Sequence, residues 1–411
     1  MVLFGAGADF KKIVVNNGLL PYIEAVIDSD NNKVGKDVFG VTVKGLEFLQ
    51  EMRKGEIIYI TSSKYFEDIS TIIHNKNDTL KVEFLGNILP KKSKAENMAL
   101  YTRAQNERDV YCQYKDEYLI RDEKFIERYF NLVKNMDKES VDAINMILHR
   151  LEILYSCESK EIDLFNSEEQ AELKNIKEKL TNHIFKICDG VYAYKNYYLP
   201  LKYFDNGIYY YYYYGLMKLK NIDYALSGDV IDCGAFIGDS SILFSRETKG
   251  KVYAIEAQGK NVESINETIR LNHVQNIEVL QKGVGDKKET GIIYQHEYGN
   301  FGTLNPYDSR QYEERETIEI DTIDNIVEEN HINVSLIKAD IEGSESAMLR
   351  GAVNTLCRFK PTLMICIHHT PTDFWGIKPF LEKLNLGYTF RIIKKVDGNI
   401  LTGTFLIAEV D

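Results

Sequence analysis

The sequence has little that would suit a membrane protein, a zinc module or a disulfide-rich domain. Its 411 residues contain no stretch near the ~20 continuous apolar residues that a membrane helix requires. The six cysteines include no C-x-x-C pair, which argues against a zinc site and against a disulfide framework. Val2-Leu3-Phe4 at the start indicates a strand rather than a signal peptide. We therefore expect free thiols in a cytoplasmic protein that does not associate with membranes.

Basic residues are outnumbered by acidic ones, with 50 Lys and Arg against 62 Asp and Glu and a formal net charge of −12. This balance argues against nucleic acid as the main partner, because a phosphate backbone requires a basic surface. Tyrosine is abundant instead, with 27 residues, many of them between 192 and 214. Two interpretations are open for that stretch, since tyrosine rings can stack on sugars or fill a core.

The hydrophobic pattern predicts an α/β protein with two doubly wound, Rossmann-like domains joined by a helical connector. We place the boundaries at 1–90 for the N-terminal domain, 91–190 for the connector and 191–411 for the C-terminal domain. The second domain should hold five parallel strands closed by an antiparallel pair. The predicted strands are Val2–Phe4, Tyr22–Ile27, Ile57–Ile60, Val82–Leu85, Val230–Cys233, Val252–Glu256, Ile277–Leu280, Val334–Ala339, Leu363–Ile367, Thr389–Ile393 and Thr404–Ala408.

A glycine loop near the N-terminus is similar to a dinucleotide-binding fingerprint. Gly5-Ala6-Gly7 follows the first strand, and Asp28 ends the second, but Phe10 stands where a third glycine is expected. Three interpretations are open: a handle for a nucleotide or nucleotide-sugar, a site that has lost its ligand, and an NAD-dependent oxidoreductase. No Tyr-x-x-x-Lys pair supports the third.

A second glycine loop, at 232–240, contains the most informative motif. The strand Val230–Cys233 leads into Gly234-Ala235-Phe236-Ile237-Gly238, and a helix is predicted to begin near Asp239. Glycine permits backbone angles and close approaches that other residues do not. Asp239 at the start of a helix repels phosphate but suits a cationic amino-acid ligand.

The next predicted strand ends in Glu256, 24 residues after Asp232. A carboxylate at the end of the second strand of such a sheet is placed to accept both ribose hydroxyls of an adenosine. The alternative is that Glu256 only caps the helix that follows. Together, the loop and the acid predict a cofactor that contains a nucleoside.

These residues resemble the FkbM-type S-adenosylmethionine-dependent methyltransferases over about 195 to 411. The resemblance rests on the loop at 232–239, Ile255-Glu256-Ala257, Gly283-Val284-Gly285-Asp286 and the segment Lys338-Ala339-Asp340-Ile341-Glu342-Gly343-Ser344-Glu345. It implies a seven-stranded class I methyltransferase fold and O-methylation of a hydroxyl, commonly on a sugar or a polyketide.

The resemblance also implies which residues contact S-adenosyl-L-methionine. Glu256 should bind the ribose, and Val284 and Asp286 should lie near the adenine. Phe236 departs from the asparagine that is usual at this point of the family's loop, so a polar contact from this position is not expected. Around the methionine part and the loop we place Asp232, Gly234, Ala235, Gly238, Asp239 and Ala257.

Asp340, His368 and His369 are the candidates for catalysis, because each follows a predicted strand at the carboxyl edge of the sheet. A histidine could accept the proton of a hydroxyl, and strand alternation suggests that only one of the two faces the pocket. Asp340, Glu342 and Glu345 could hold a divalent metal, or the two glutamates could favour the start of the next helix. We expect no metal. Trp375 could face a sugar ring or pack its own helix.

The sequence thus predicts an O-methyltransferase that uses S-adenosyl-L-methionine to methylate a hydroxyl of a carbohydrate or related small metabolite. Its partner is a small molecule or glycan, with no nucleic acid and no membrane, and a homodimer is left open. The alternatives are a nucleotide-sugar oxidoreductase centred on the N-terminal loop and a sensor that binds cofactor without turnover.

Overall fold

A computed structural model describes residues 1–10, 14, 23–38, 41–85, 106, 112–120, 122–156, 164–210, 215–296, 302–303 and 312–410. The chain divides into two compact units. The first contains Met1–Asp109, His149–Leu173 and Gly398–Ile400, and the second contains Val110–Leu148, Lys174–Asp397 and Leu401–Asp411. This division does not follow the boundaries at 90 and 190, which stay a prediction.

The first unit contains a six-stranded sheet with the order β3-β4-β2-β1-β5-β6. Its described neighbours are parallel except for β3 and β4, which form an antiparallel edge that the hydrophobic pattern did not predict. Alternate residues of β1 enter separate apolar clusters, so helices and loops cover both faces. The strands are β1 Val2–Phe4, β2 Ala25–Ile27, β3 Asp37–Val38, β4 Val41–Lys44, β5 Ile57–Ile60 and β6 Lys81–Phe84.

The amphipathic pattern of this part predicts helices over Phe10–Val15, Leu46–Met52 and Tyr65–His74, and the structure differs from this prediction in detail. Phe66–Lys76 is an α-helix, whereas Leu46–Gln50 is a 3-10 helix. The helix predicted over Phe10–Val15 falls mostly outside the described residues, and Ala8–Phe10 is the helical part that is described.

Helices dominate the middle of the chain, as the Lys- and Glu-rich pattern predicts. Asp122 caps one of them by accepting a hydrogen bond from the backbone N–H of Phe125 at 2.7 Å. The prediction does not hold up to residue 190, because Phe185–Cys188 is a strand. The α-helices are Lys115–Leu119, Glu123–Val133, Lys138–Ser156 and Ser167–Lys179.

The second unit contains a seven-stranded sheet with the order β12-β11-β10-β17-β18-β20-β19. Only β20 runs antiparallel to the rest, because β19 is antiparallel to β20 and therefore parallel to β18. β10 and β17 lie side by side within the sheet and are almost wholly buried, although each contains charged residues among its apolar ones. The strands are β10 Asp229–Cys233, β11 Val252–Glu256, β12 Ile277–Gln281, β17 Val334–Ala339, β18 Thr362–Cys366, β19 Tyr388–Lys394 and β20 Thr404–Val410.

Two smaller sheets accompany it. A three-stranded sheet, β7-β8-β9, precedes β10 in the chain, and a four-stranded sheet, β13-β16-β14-β15, is inserted between β12 and β17. Neither was predicted. Their strands are β7 Phe185–Cys188, β8 Val191–Tyr194, β9 Tyr197–Leu199, β13 Gly283–Val284, β14 Glu289–His296, β15 Gly302–Thr303 and β16 Tyr312–Asp321.

Helices connect the strands of the seven-stranded sheet. Among the described residues, none of the helices has the length and apolar character needed to cross a bilayer. The α-helices are Asn206–Tyr209, Ile222–Ala225, Asp239–Glu247, Gly259–Asn272, Ile323–Glu329, Glu345–Arg350, Val353–Phe359 and Pro371–Lys383.

Candidate active site

The glycine loop after β10 begins where the backbones of two strand ends meet. Gly234 has a φ of 73°, and a Cβ there would lie 1.9 Å from the carbonyl oxygen of Asp340. Asp340 in turn donates its backbone N–H to the carbonyl of Cys233 at 3.1 Å. Only glycine fits this crossing, which brings the loop and the end of β17 together.

Phe236 lies at the point of the loop where the family's asparagine is expected. Its φ of 51° is in the left-handed region, which asparagine adopts more readily than most residues. The backbone N–H of Phe236 donates to a carboxylate oxygen of Glu256 at 2.9 Å, and its ring packs edge-on against Tyr203. The backbone course of the loop is thus kept although the side chain is apolar.

Two cavities adjoin this loop. The larger has a volume of about 670 Å³, and the smaller has a volume of about 80 Å³. Both are lined by Gly234, Phe236, Asp340 and Glu342, so the loop and the end of β17 separate two halves of one site. A divided site of this kind suits an elongated ligand with two chemically different ends.

Five of the residues predicted to bind cofactor line these cavities. Glu256, Ala257 and Val284 line the smaller one, Asp239 lines the larger one, and Gly234 lines both. Burial raises the pKa of the Glu256 carboxyl, although hydrogen bonds from backbone N–H groups oppose this shift. Burial also raises the pKa of Asp239, to about 7.

Three more predicted residues lie behind the loop. Ala235 is buried and donates its N–H to the carbonyl of Ile255 at 3.1 Å, and Gly238 precedes the helix Asp239–Glu247 with a φ of 82°. Asp232 is fully buried and accepts hydrogen bonds from the hydroxyls of Ser240 and Ser241. These residues shape the loop and do not line either cavity.

Asp286 is not brought to the site. Its carboxylate forms an ion pair with Arg350 at 3.2 Å, is partly exposed and lines neither cavity. The adenine contact expected for Asp286 is therefore not supported by its position, whereas Val284, two residues earlier, lines the smaller cavity.

Lys338 lies inside the site, although no role was predicted for it. Its ammonium is buried, lies 2.9 Å from a carboxylate oxygen of Asp232 and donates to the carbonyls of Cys233 and Gly234 at 3.2 and 2.8 Å. Burial disfavours the charge, but Asp232 and Asp340 hold the pKa of Lys338 above its usual value. Lys338 thus fixes the first turn of the glycine loop. A lysine within the apolar run of β17 was the signal for it.

The three predicted catalytic residues meet in the larger cavity. Asp340, His368 and His369 all line it, and the two imidazole rings lie 4.1 Å apart. The expectation that only one histidine faces the pocket was wrong. Strand alternation does not apply to them, because β18 ends at Cys366, before both histidines.

The two histidines have opposite electrostatic environments. Burial lowers the pKa of His368 to about 4, and its Nδ1 lies 3.1 Å from the carbonyl oxygen of Thr404. Burial would also lower the pKa of His369, but Glu345, Glu342 and Asp340 raise it well above its usual value. The same histidines, with Lys338, hold the pKa of Asp340 below its usual range despite burial.

The sequence left two roles open for Glu345, metal binding and favouring the start of the next helix, and its contacts match neither role completely. It begins the helix Glu345–Arg350, and its carboxylate accepts the backbone N–H groups of Ile341 and Gly343 at 2.9 and 3.0 Å. It also lies 2.8 Å from Nδ1 of His369. Glu345 is therefore committed to the turn and to His369. Glu342 differs, because it lines both cavities and burial raises its pKa to about 7.

Two aromatic features are part of the core. Trp375 is buried and packs against Phe374 and Phe125, without lining either cavity. Tyr209 is also buried and packs against Tyr197. Residues 211–214 of the tyrosine run lie outside the described part of the chain. The packing interpretation is therefore favoured for Trp375 and Tyr209, whereas Tyr203 of the same tyrosine-rich stretch lines the larger cavity.

The carboxylate of Asp28 holds the N-terminal glycine loop in place. Asp28 accepts the backbone N–H of Ala6 at 2.7 Å and forms an ion pair with Lys33 at 2.9 Å. Gly5 has a φ of 105°, as the loop motif requires, and Phe10 is fully buried.

A family comparison decides what the second unit is. Residues 232–392 match the model of the Methyltransferase FkbM domain, a range that includes the glycine loop, Glu256, Asp340 and both histidines. The chain carries an FkbM methyltransferase domain. It is accordingly an S-adenosyl-L-methionine-dependent methyltransferase, as the motifs predicted. No curated protein matches the sequence.

Several solved structures are similar to the chain, although distantly. A methyltransferase FkbM from Methylobacillus flagellatus KT is 17% identical over 99% of this chain and 89% of its own, with a TM-score of 0.44. A putative O-methyltransferase from Klebsiella pneumoniae is 14% identical over 48% and 80%, with a TM-score of 0.31. A putative methyltransferase from Streptococcus mutans in complex with SAH is 12% identical over 45% and 92%, with a TM-score of 0.29. The match to the FkbM domain model identifies the domain.

Proposed function

We propose that the FkbM domain transfers the methyl group of S-adenosyl-L-methionine to a hydroxyl of a carbohydrate or related small, polyhydroxylated metabolite. The observation that carries this proposal is that one cavity is lined both by the glycine loop and by Asp340, His368 and His369. Donor and acceptor can therefore meet in a single cavity. Its volume of about 670 Å³ is within the range of small-molecule sites.

In this proposal the cofactor extends across the loop. Its adenosine would lie along the smaller cavity and extend beyond it, with the ribose hydroxyls on Glu256 and the adenine beside Val284. Gly234, which lines both cavities, would let the methionine part reach the larger one, where the carboxylate of Asp239 would attract the ammonium group.

The reaction is an in-line displacement. The acceptor oxygen attacks the methyl carbon from about 3 Å, so the carbon–oxygen bond forms as the carbon–sulfur bond breaks and its electron pair stays on sulfur. The hydroxyl must also lose its proton. Asp340, His368 and His369 form the polar cluster of the cavity that would bind the hydroxyl, and an acidic or imidazole side chain of the same cavity would accept its proton.

The remaining lining of the larger cavity favours a polar acceptor. Tyr203 offers a ring face and a hydroxyl, while Asp205, Arg391 and Lys395 offer charged hydrogen-bonding groups. Many donors and acceptors in one cavity suit a molecule with several hydroxyls better than an apolar one.

Methyl transfer to candidate acceptors tests the proposal directly. The full chain should move label from S-adenosyl-L-[methyl-³H]methionine onto at least one member of a panel of monosaccharides, nucleotide-sugars and glycans. A product whose label survives mild base would be an ether, because an ester would hydrolyse. Cofactor binding without label on any acceptor favours the sensor alternative, and binding of NAD alone favours the oxidoreductase.

Cofactor affinity should depend on pH through Asp239. Because its pKa is about 7 in the folded protein, Asp239 is largely protonated at pH 6 and ionised at pH 8. The ammonium of the cofactor favours the ionised form, so binding should release a proton below pH 7 and strengthen as pH rises. We expect calorimetry with S-adenosylhomocysteine to show up to about a tenfold gain in affinity from pH 6 to pH 8.

The variant Asp239→Asn should bind more weakly and lose this pH dependence. Asp223→Asn, which removes an exposed acid outside both cavities, is the matched control and should keep the dependence. A wild-type affinity that is constant from pH 6 to pH 8 would show that Asp239 does not face the ammonium group.

A further inference from the structure

Three metal-ligating side chains meet at the acceptor side of the larger cavity. A carboxylate oxygen of Asp340 and one ring nitrogen from each of His368 and His369 all lie within 4.8 Å of one another. They come from the ends of two adjacent strands, β17 and β18, so the sheet itself sets their spacing. Two imidazoles and one carboxylate with an open side are a ligand set for divalent transition metals.

The histidine rings are oriented as metal ligands are. Nδ1 of His368 lies 3.1 Å from the carbonyl oxygen of Thr404, so this nitrogen carries the proton and the lone pair is on Nε2. Nδ1 of His369 lies 2.8 Å from the Glu345 carboxylate, and its Nε2 lies 3.4 Å from Asp340. Histidines that bind metals typically donate their second ring N–H to a carbonyl or a carboxylate. Here the partner of His368 is a carbonyl and the partner of His369 is a carboxylate.

The surroundings also favour a cation. The carboxylate of Glu342 lies 3.5 Å from Nε2 of His369, so it adds negative charge beside the three ligands. Lys338, the nearby ammonium, is directed to Asp232 and to two backbone carbonyls. A divalent ion would balance the carboxylates at the end of the cavity where a hydroxyl has to be activated.

We propose that Asp340, His368 and His369 bind one divalent transition-metal ion, which holds the acceptor hydroxyl of the methyl transfer proposed above. This inference rests on that function for the role of the ion, but not for its binding. The ion lowers the pKa of a coordinated hydroxyl. As the methyl–oxygen bond forms and the methyl–sulfur bond breaks, the hydroxyl proton passes to Glu342, which lines the same cavity.

Imidazole ligands make the choice of ion specific. Magnesium, calcium and manganese favour oxygen ligands, whereas cobalt, nickel and zinc bind imidazole nitrogen well. The site should therefore prefer Zn²⁺ or Co²⁺ to Mg²⁺. The expectation from the sequence that no metal takes part is replaced by this proposal.

Metal binding is tested without acceptor or cofactor. Protein treated with EDTA and dialysed is titrated with ZnCl₂, CoCl₂ and MgCl₂ in a calorimeter, and the bound metal is counted by mass spectrometry. We expect one Zn²⁺ or Co²⁺ per chain and much weaker Mg²⁺ binding. His368→Ala and Asp340→Ala should abolish binding, and Glu345→Gln should weaken it by about 10–100-fold.

His183→Ala is the matched control, because His183 is exposed and lines neither cavity. S-adenosylhomocysteine binding by each variant shows that the domain is folded. Absence of stoichiometric binding, or binding that His368→Ala leaves unchanged, overturns the metal site. Full methyl transfer by EDTA-treated protein overturns the ion's role while the proposed function stands. Stoichiometric metal binding without transfer to any hydroxyl supports the site and counts against the proposed function.

Discussion

Replacing Glu256 with alanine should weaken the binding of S-adenosylhomocysteine by about a hundredfold or more. Glu256 ends β11 and lines the smaller cavity, and under the proposed function its carboxylate accepts both ribose hydroxyls. A hydrogen bond to a charged group contributes about 1.5–3 kcal/mol, so losing two of them exceeds a factor of 100 in affinity. Isothermal titration calorimetry with the full chain measures this loss directly.

The matched control is Glu278→Ala on the neighbouring strand β12. Glu278 is partly exposed, pairs with Lys251 and lines neither cavity, so affinity should not change. Because Glu256 also accepts the backbone N–H groups of Phe236 and Gln258, its loss could disturb the loop. An unchanged unfolding midpoint of cofactor-free protein would exclude this cause. Nearly wild-type affinity in Glu256→Ala would contradict the cofactor placement.

Much of the architecture was predictable because its signals are local. The strands of the seven-stranded sheet are short, mostly apolar runs. All seven were predicted, and their observed ends differ from the predicted ones by at most two residues. Gly234 and Glu256 were predictable for a similar reason, since a glycine after one strand and an acid after the next are placed by the fold itself.

The missed features depend on contacts between distant segments. The four-stranded sheet pairs β14 with β16, and polar residues make up most of both strands, so the apolar runs that marked the other strands are missing there. The positions of His368 and His369 depend on where β18 stops, one residue earlier than predicted. Asp286 was placed by resemblance, and its ion pair with Arg350, 64 residues away, could not be read from the motif.

Lys338 stands out in the sequence, but its role does not follow from the sequence alone. A lysine between apolar residues of a buried strand is unusual, because an unpaired buried charge is strongly disfavoured. The sequence therefore required a partner for it, and the parallel register of β10 and β17 pairs Lys338 with Asp232. This inference needs the strand order, which places β10 directly beside β17.

Replacing Lys338 with methionine should therefore destabilise the FkbM domain by about 3–5 kcal/mol, since it leaves Asp232 charged and buried without its partner. Urea unfolding measures this loss of stability. Because a chain with two units need not unfold in one step, the transition to follow is the one that S-adenosylhomocysteine shifts. The ligand identifies the transition of the domain that binds it.

The double variant Asp232→Asn/Lys338→Met separates charge from packing. If the unpaired carboxylate causes the loss, the double variant should be more stable than Lys338→Met alone, since asparagine can still accept the hydroxyls of Ser240 and Ser241. Lys251→Met, which removes an exposed lysine just before the neighbouring strand β11, should change stability by less than about 1 kcal/mol. A double variant no more stable than Lys338→Met would mean that the contacts of Lys338 to the carbonyls of Cys233 and Gly234, rather than its charge pair, hold the loop.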